Sequence, residues 1–256
     1  MNIISIIPAR MGSSRFPGKP MADILGMPMI GHVYKRVKMS KLLSEVYVAT
    51  CDTEIYDYIE SIGGKAVMTS DCHERCSDRC AEAMLKIEKQ ENKKVDIMVM
   101  VQGDEPLTFP QMIDEAVFPM LEDKSMIITN LVANLHTVKE FEDPNEVKVV
   151  MDKNNNALYF SREPIPSRKK GILEVPMKKQ VCVIPFTRDF LLEYNEMEPT
   201  PLEIIESVDM MRILENGMKV KMIDTKYETK AVDTKEDLDR VKQIMKEDSL
   251  LNSYMK

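Results

Sequence analysis

The segment IISIIPARMGSSRFPGK, residues 3–19, joins an apolar run to a loop whose only charges are positive. The isoleucine-rich run predicts a buried β-strand, because β-branched side chains suit the packed, pleated surface of a sheet. The loop carries Arg10, Arg15 and Lys19 among glycine, serine and proline residues, and no acidic residue precedes Asp23. The whole chain is acidic, with a net charge of -7 over 256 residues, so a purely cationic loop requires a specific explanation.

Short strands and helices alternate through the amino-terminal part of the chain. The predicted strands after the first are residues 45–50, 65–69 and 96–101, and the predicted helices are about residues 29–39, 53–62 and 79–89. Strands that alternate with helices form parallel sheets covered on both faces. We therefore predict an α/β fold with a Rossmann-like, mostly parallel sheet flanked by helices.

The pattern changes after Pro110, where longer strands are predicted. An asparagine-rich turn within residues 146–161 predicts a β-hairpin, and Thr234 followed by Asp237 predicts the start of a helix. The other predicted elements are strands at residues 126–135, 179–186, 219–223 and 231–233 and one helix over residues 201–217, ending at Gly217. We expect one domain over residues 1–256, with a β-rich arm inserted at about residues 130–190.

Composition argues against several classes of protein. No apolar stretch reaches the roughly 18 residues that a membrane span requires, and the amino terminus shows no signal peptide. The acidic balance argues against nucleic acid as a partner, since proteins that bind it carry a basic excess. An odd number of cysteines favours a reducing cytoplasm over a disulfide framework. They are Cys51, Cys72, Cys76, Cys80 and Cys182.

The position of the cationic loop predicts an anion site. Ligands of open α/β sheets bind beyond the carboxyl ends of the strands, where this loop lies. Glycine and serine let backbone N–H groups face an anion, and three cations can neutralise a polyphosphate. The spacing matches neither a Walker A loop nor the G-x-G-x-x-G fingerprint. A solvated loop with incidental basic residues is the alternative.

Two acidic segments supply candidate metal ligands. The sequence VMVQGDEP, residues 99–106, places Gln102, Asp104 and Glu105 just after the fourth strand. A carboxylate beside a cationic loop suits Mg²⁺, which binds one or two carboxylates together with phosphate oxygens. Alternatively, Asp104 and Glu105 shape a surface turn. Without further information, Asp233 is interpreted only as a residue near a helix N-cap rather than as a metal ligand.

Several segments together resemble the CMP-Kdo synthetases, the 3-deoxy-manno-octulosonate cytidylyltransferases. They occur in family order from residue 3 to about residue 245, nearly the whole chain. These segments are IPARMGSSRFPGKPM (7–21), VQGDEP (101–106), DPNEVKVV (143–150), YFSREPIP (159–166) and VDTKEDL (232–238).

The resemblance implies a nucleotide-diphospho-sugar transferase type of fold and a Mg²⁺-dependent cytidylyltransferase. Such an enzyme transfers CMP from CTP to a small acidic acceptor, a 3-deoxy-manno-octulosonate-like sugar acid, and releases pyrophosphate. It would act in the cytoplasm, in lipopolysaccharide or capsule biosynthesis. The family commonly forms homodimers through the β-rich arm, so the resemblance also implies a homodimer.

The resemblance assigns roles to residues at matching positions. The implied catalytic residues are Arg15, Lys19 and Asp104, and the implied Mg²⁺ ligands are Asp104 and Asp233. The implied nucleotide-binding residues are Ala9, Arg10, Gly12, Ser13, Arg15, Lys19, Arg79 and Gln102. The implied acceptor-binding residues are Gln102, Arg162, Gln180, Phe186 and Asp209.

Departures from the family pattern cluster in two places. Before the third helix, Arg75, Cys76 and Ser77 stand where Ser, Gly and Thr are typical. On the acceptor side the changes are Gln180 for His, Phe186 for Tyr, Asp209 for Glu and Met210 for Gln. Because a polar group that meets a substrate hydroxyl discriminates strongly, these changes predict an altered acceptor. Phe186 and Met210 remove polar contacts, which favours a smaller or less hydroxylated ligand.

Other functions remain open on the sequence. The acceptor could be an amino-Kdo, another 2-keto sugar acid or a phosphonate, and the chain could be a non-catalytic nucleotide-binding protein. Cys72, Cys76 and Cys80, with His73, could bind zinc or an iron–sulfur cluster, although their spacing matches no common site. They could equally pack as small apolar side chains along one helix face. His32 and His136 are interpreted as structural or surface residues.

Overall fold

A computed structural model describes residues 1–12, 15–171 and 174–255. Ser13, which the family resemblance assigns to the nucleotide, lies outside the described residues. The strands are β1 (Ile3–Ala9), β2 (Asp23–Ile24), β3 (Met27–Pro28), β4 (Glu45–Thr50), β5 (Ala66–Met68), β6 (Ile97–Val101), β7 (Thr129–Asn134), β8 (Lys148–Met151), β9 (Ala157–Ser161), β10 (Lys178–Val181), β11 (Val183–Thr187) and β12 (Lys221–Asp224).

The helices alternate with these strands along the chain. A 3₁₀ turn covers Lys19–Met21. The α-helices are α1 (Met29–Val37), α2 (Thr53–Ser61), α3 (Cys76–Glu91), α4 (Pro110–Glu122), α5 (Val138–Glu142), α6 (Arg188–Glu196), α7 (Pro201–Glu206), α8 (Met210–Glu215), α9 (Lys235–Lys246) and α10 (Leu251–Tyr254). Among the described residues, none of the helices is both long and apolar enough to cross a membrane.

The first sheet has the strand order β11-β6-β1-β4-β5. Strands β6, β1, β4 and β5 are parallel, as predicted, and β11 adds an antiparallel edge beside β6. The chain runs outward from β1 through β4 to β5 and then returns to the other side of β1 as β6. The order therefore reverses between β1 and β6, and such a switch point is where open α/β sheets bind ligands.

Strand β1 lies in the middle of the core, and all seven of its residues are buried. Ile4 and Ile6 belong to the apolar cluster on one face of the sheet, and Ile3 and Ile7 to the cluster on the other. This division follows from the two-residue period of a strand. The isoleucine-rich segment is thus buried on both faces, as expected for a parallel sheet covered by helices.

A second sheet has the order β12-β7-β10-β8-β9. Its β12 and β7 are parallel, and its other neighbours are antiparallel. The predicted hairpin is present as β8 and β9. Oδ1 of Asp152 accepts the N–H groups of Asn154 and Asn156, both at 2.8 Å, which closes the turn. Whether this β-rich region acts as a dimerisation arm stays a prediction.

The strand predicted at residues 179–186 is wrong as a single element. It breaks at Cys182, so that β10 joins the second sheet and β11 joins the first. The carbonyl of Cys182 accepts the N–H of Gln102 at 3.2 Å, which extends the pairing of β11 with β6 by one residue. The division depends on pairing with distant strands, and it brings the two sheets together beside the end of β6.

Two further predictions need correction. The helix predicted at residues 201–217 is two helices, α7 and α8, because Ser207 adopts a left-handed conformation with φ of 52°. Residues 231–233 do not form a strand. The predicted helix start is confirmed, since Thr234 and Asp237 form a reciprocal capping box at α9. Gly217 follows α8 with φ of 74°, as its predicted C-terminal position requires.

Candidate active site

Two hydrogen bonds from backbone N–H groups hold the described ends of the cationic loop after β1. The N–H of Met11 donates to Oδ2 of Asp52 at 2.8 Å, and the N–H of Gly18 donates to the carbonyl of Met11 at 3.0 Å. Gly18 has a φ of 73°, a conformation that favours glycine. This turn directs the chain into the 3₁₀ segment that begins at Lys19, so the Lys19 side chain returns toward the end of the sheet.

The turn after β6 packs directly against the end of β1. A Cβ added at Gly103 would lie 3.0 Å from the carbonyl oxygen of Pro8 and 3.2 Å from Cδ1 of Ile30. An added Cβ would press on this backbone and side chain, so glycine suits the close approach. The contact places Asp104 beside the cationic loop. Glu105, the next residue, is only 6% exposed, so the alternative that both acidic residues shape a surface turn does not hold for Glu105.

Asp233 reaches the same place from the carboxyl-terminal part of the chain. The N–H of Val232 donates to the carbonyl of Asp104 at 2.9 Å. The capping box that follows fixes the next residues, because Oγ1 of Thr234 accepts the N–H of Asp237 at 3.2 Å. One backbone hydrogen bond and one helix cap thus hold Asp233 beside Asp104.

The Lys19 ammonium lies between the two carboxylates. Its Nζ is 2.7 Å from Oδ2 of Asp104 and 3.4 Å from Oδ1 of Asp233. Arg15 adds a contact of 2.9 Å from NH2 to the same oxygen of Asp233. Burial lowers the pKa of Lys19, but the charges and hydrogen bonds of Asp104 and Asp233 outweigh it and raise the pKa above its usual value. The Lys19 side chain therefore remains charged.

The two carboxylates fit a magnesium ion that shares its ligands with phosphate. Oδ1 of Asp104 is buried without a hydrogen-bond partner among the described residues, so it has a free coordinating position. No group of three or more His, Cys, Asp or Glu side chains in that part of the chain could hold a metal by itself. Mg²⁺ commonly binds one or two carboxylates with phosphate oxygens and waters, and this donor set matches that pattern.

The cysteines form neither a metal site nor a disulfide in the described ranges. Cys80 is fully buried and packs in the core, whereas Cys72 is exposed. Burial raises the pKa of Cys76 to about 12 and raises that of Cys182 as well. Both thiols are therefore protonated at neutral pH, which makes them poor nucleophiles and poor metal ligands.

Two adjoining cavities meet at Asp104. One has a volume of about 370 Å³ and the other about 270 Å³, and both are lined by Arg15, Cys76, Gln102, Asp104 and Ser207. We call the larger the nucleotide-side cavity, which is also lined by Ala9, Arg10, Gly12 and Lys19. We call the smaller the acceptor-side cavity, which is also lined by Arg162, Gln180, Asp209 and Asp233.

Two predicted site residues lie outside both cavities. Phe186 is fully buried beside the rings of Phe190 and Tyr194, so it cannot contact a ligand in this conformation. Its strand enters the core beyond Ile184, which does line the acceptor-side cavity. Arg79 is 3% exposed, and its NH1 donates to Oγ1 of Thr69 at 2.5 Å. It therefore supports the loop after β5, and its contact with a nucleotide stays a prediction.

The remaining acceptor-side residues are held by neighbours that sequence patterns did not single out. Nε2 of Gln180 donates to Oδ1 of Asn130 at 2.6 Å, and Arg15 donates to Asn145. The nitrogens of Arg162 donate to the backbone carbonyls of Glu206, Pro144 and Ser207 at 2.7, 2.9 and 3.2 Å. Asn145 lies in DPNEVKVV, one of the segments that carry the family resemblance, so the sequence contained a signal that it belongs to the site. No sequence pattern marked Asn130.

The apolar part of the acceptor-side cavity was also not predicted as a site. It is lined by Cys76, Met100, Cys182, Ile184 and Met210. Cys76 and Met210 were recognised as departures from the family pattern, but Met100 and Ile184 read as ordinary strand residues. Met100 and Ile184 are paired across β6 and β11 and almost fully buried, so they contribute apolar lining next to Cys182, where β10 and β11 separate.

A basic loop and two aspartates at the switch point of an α/β sheet, flanked by two cavities, define a nucleotidyltransferase. The chain belongs to the cytidylyltransferase family, whose model matches residues 4–221. It is 42% identical over 251 residues to the 3-deoxy-manno-octulosonate cytidylyltransferase of Geobacter metallireducens, covering 94% of this chain and 96% of that protein. It is 41% identical to the enzyme of the same name from Fusobacterium nucleatum, covering 98% and 99%.

Solved structures show the same similarity. A CMP:2-keto-3-deoxy-manno-octonic acid synthetase complexed with CTP matches with a TM-score of 0.88 and 34% identity, covering 96% of this chain and 99% of that chain. A 4-diphosphocytidyl-2C-methyl-D-erythritol synthase from Anaerococcus prevotii matches with a TM-score of 0.62 and 13% identity, covering 96% and 99%. The second similarity shows a shared fold only.

Proposed function

We propose that this protein transfers CMP from CTP to a 3-deoxy-manno-octulosonate-like sugar acid and releases pyrophosphate in a Mg²⁺-dependent reaction. The observation that carries the proposal is the position of Lys19 between Asp104 and Asp233, where the two cavities meet. A triphosphate in the nucleotide-side cavity would have cations on one side and candidate metal ligands on the other. The names of the full-length relatives support the choice of acceptor.

The acceptor hydroxyl attacks the α-phosphorus in line with the departing pyrophosphate. The new O–P bond forms as the bond from the α-phosphorus to the pyrophosphate oxygen breaks, and the hydroxyl proton passes to solvent. Arg15 and Lys19 neutralise negative charge on the β- and γ-phosphates, so positioning and electrostatics supply most of the rate enhancement. When bound to Asp104 and Asp233, Mg²⁺ would offset charge on phosphate oxygens and acidify an acceptor hydroxyl that it contacts. The protonated cysteines of the acceptor-side cavity take no part as nucleophiles.

Pyrophosphate release from CTP tests this proposal. We expect release that requires both 3-deoxy-manno-octulosonate and Mg²⁺ and stops when the metal is chelated. Asp104→Asn should lower kcat by about 10²–10³-fold or more, because it removes a charge at the reacting phosphate while preserving shape. Asp224→Asn, outside both cavities, is the matched control and should keep normal activity.

Three results would contradict parts of the proposal. Near-normal turnover of Asp104→Asn would contradict the assignment of Asp104 as a Mg²⁺ ligand. Pyrophosphate release with a phosphonate or another 2-keto acid, but not with 3-deoxy-manno-octulosonate, would show that the proposed acceptor is wrong. Tight CTP binding without release for every acid would favour a non-catalytic nucleotide-binding protein. The cytoplasmic homodimer stays a prediction from the family resemblance, and light scattering of the purified protein tests its oligomeric state.

A further inference from the structure

An ion pair forms part of the lining of the acceptor-side cavity. Arg75 precedes α3, Asp209 precedes α8, and NH1 of the arginine lies 3.1 Å from Oδ1 of the aspartate. Both residues line the acceptor-side cavity, and neither is among those lining the nucleotide-side cavity. Asp104 lies where the cavities meet. Of the two cavities, Asp233 also lines only the acceptor-side one, but it pairs with Lys19 of the nucleotide-side cavity. Among the described residues, the side chains of Arg75 and Asp209 pair with none that lines the nucleotide-side cavity, so they face a part of the acceptor remote from its reacting hydroxyl.

The pair is held in place by buried charges. Nε of Arg75 lies 3.8 Å from Oε1 of Glu203, which is fully buried. Glu203 in turn accepts two hydrogen bonds of 2.7 Å from Arg212. The 3.1 Å contact with Asp209 and the longer contact with Glu203 restrain the Arg75 guanidinium between the starts of α3 and α8 and helix α7 before an acceptor binds. A site ordered in advance loses little conformational entropy on binding.

The pair still has one free donor and one weakly engaged acceptor. NH2 of Arg75 has no hydrogen-bond partner among the described residues. Oδ2 of Asp209 receives a single long hydrogen bond, 3.4 Å from Oγ of Ser77. The Arg75 and Asp209 side chains are 27% and 19% exposed, so both reach the cavity. A donor beside an acceptor is complementary to two neighbouring hydroxyl groups, each of which can donate and accept.

We propose that Arg75, acting with Asp209, determines acceptor specificity by binding a vicinal diol of the sugar acid. This rests on the proposed function. NH2 of Arg75 donates to one hydroxyl, and Oδ2 of Asp209 accepts a hydrogen bond from the next. In a cyclic eight-carbon 3-deoxy-ulosonic acid, the diol farthest from the carboxylate and the reacting hydroxyl is the two-carbon side chain. The pair therefore selects acids that carry this side chain.

Comparing two acceptors isolates the contribution of the side-chain diol to recognition. One is 3-deoxy-manno-octulosonate, and the other is a 3-deoxy-hexulosonic acid, which keeps the carboxylate and ring but lacks the side-chain diol. Arg75→Ser should lower kcat/KM for the eight-carbon acid by about 10–100-fold, mainly through KM, because it removes a charged hydrogen-bond donor. It should change kcat/KM for the six-carbon acid and the KM of CTP by less than about twofold.

Further variants distinguish recognition from a structural effect. Asp209→Asn should also weaken only the eight-carbon acid, and Arg75→Lys should recover part of the loss. Arg168→Ser breaks an ion pair with Glu142 outside both cavities and should leave kcat/KM unchanged for both acceptors. An equal loss for both acids in Arg75→Ser, or no loss for either, would overturn the specificity role. Failure of the wild-type protein to release pyrophosphate with either acid would instead overturn the proposed function and this proposal with it.

Discussion

Lys19 occupies the position between two carboxylates that a divalent cation would also use. Its ammonium neutralises Asp104 and Asp233 while no nucleotide is bound, and Arg15 adds a second positive charge at Asp233. A triphosphate that draws both cations toward its own charges would release the carboxylates. Nucleotide and metal should therefore favour one another's binding, and such coupling is reciprocal.

Replacing Lys19 tests this competition without measuring turnover. We expect Lys19→Met to raise the affinity of the nucleotide-free protein for Mn²⁺ by about tenfold, a typical size for coupling between sites. Mn²⁺ binding is measured by electron paramagnetic resonance or calorimetry. The control Lys178→Met removes a lysine of similar exposure that pairs with Asp224 outside both cavities. An unchanged or weaker Mn²⁺ affinity in Lys19→Met would show that the ammonium does not compete.

The sequence predicted much of the site at the level of single residues. Ligands collect beyond the carboxyl ends of strands, and this rule placed Arg15, Lys19 and Asp104 together. The family resemblance added Asp233. Arg75 could be recognised only as a departure, because its partner Asp209 lies 134 positions away in the chain. Such a contact depends on how helices pack, which no local pattern records.

At the scale of elements, two breaks shape the acceptor-side cavity. Strands β10 and β11 separate at Cys182, and helices α7 and α8 separate at Ser207. Neither position is a glycine or proline, the residues that usually interrupt an element. The first break depends on pairing with two different sheets. At the second, the carbonyl of Ser207 accepts a hydrogen bond of 3.2 Å from Arg162. Continuous elements were therefore the natural prediction from the sequence.

Glu82 connects α3 to the loop that leads to Arg75. Its Oε2 accepts the N–H of Ser70 at 3.0 Å and contacts His73, and its Oε1 lies 2.6 Å from Nζ of Lys86. Burial raises the pKa of Glu82, but the hydrogen bonds from Lys86, Ser70 and His73 outweigh it and lower the pKa to about 2 from 4.5. The folded protein thus prefers the ionised side chain.

The stabilisation by Glu82 should therefore depend on pH. It is fully present above a pH of about 4.5, the unfolded pKa, and is lost as the pH falls toward about 2, the folded pKa. Glu82→Gln should lower the free energy of unfolding by about 1 kcal/mol at pH 7, a modest value because the site is partly exposed. The difference from wild type should shrink on acidification.

Urea unfolding between pH 7 and about pH 3.5 measures this difference above the unfolded pKa and over the upper part of the window between the two pKa values, where the loss begins. Glu193→Gln on α6 replaces an exposed glutamate and serves as the control. Equal unfolding free energies of Glu82→Gln and wild type at every pH would mean that this carboxylate does not hold the loop. A constant difference at every pH would point to packing as the source of the effect.

At the scale of the whole molecule, the carboxyl-terminal segment packs against α1. Arg36 on α1 is fully buried and pairs with Asp248, and its Nε donates to the hydroxyl of Tyr254 at 3.0 Å. The sequence predicted α1 but not this burial, because an arginine within a helix usually faces water. The same segment contains α9 and Asp233, so its attachment also supports the candidate metal ligands.

Breaking this buried pair should destabilise the fold strongly. Asp248→Ala leaves the Arg36 guanidinium buried without its counter-charge, which typically costs about 3–5 kcal/mol. The double variant Arg36→Met with Asp248→Leu removes both charges and should lose less, since buried apolar pairs replace ion pairs well. Glu142→Ala, which breaks the exposed pair with Arg168, should cost about 1 kcal/mol or less. Urea unfolding at neutral pH measures all three.

The double variant distinguishes the charge of Arg36 from the shape of its contacts as the source of the pair's contribution to stability. If the charge of Arg36 is the cause, removing both partners recovers most of the stability that Asp248→Ala loses, and kcat at saturating CTP stays near wild type because neither residue lines a cavity. If both variants are equally unstable, the contribution comes from the shape of the contact with Tyr254. If Asp248→Ala costs no more than Glu142→Ala, the attachment of this segment rests on its apolar contacts through Val232, Leu238 and Val241.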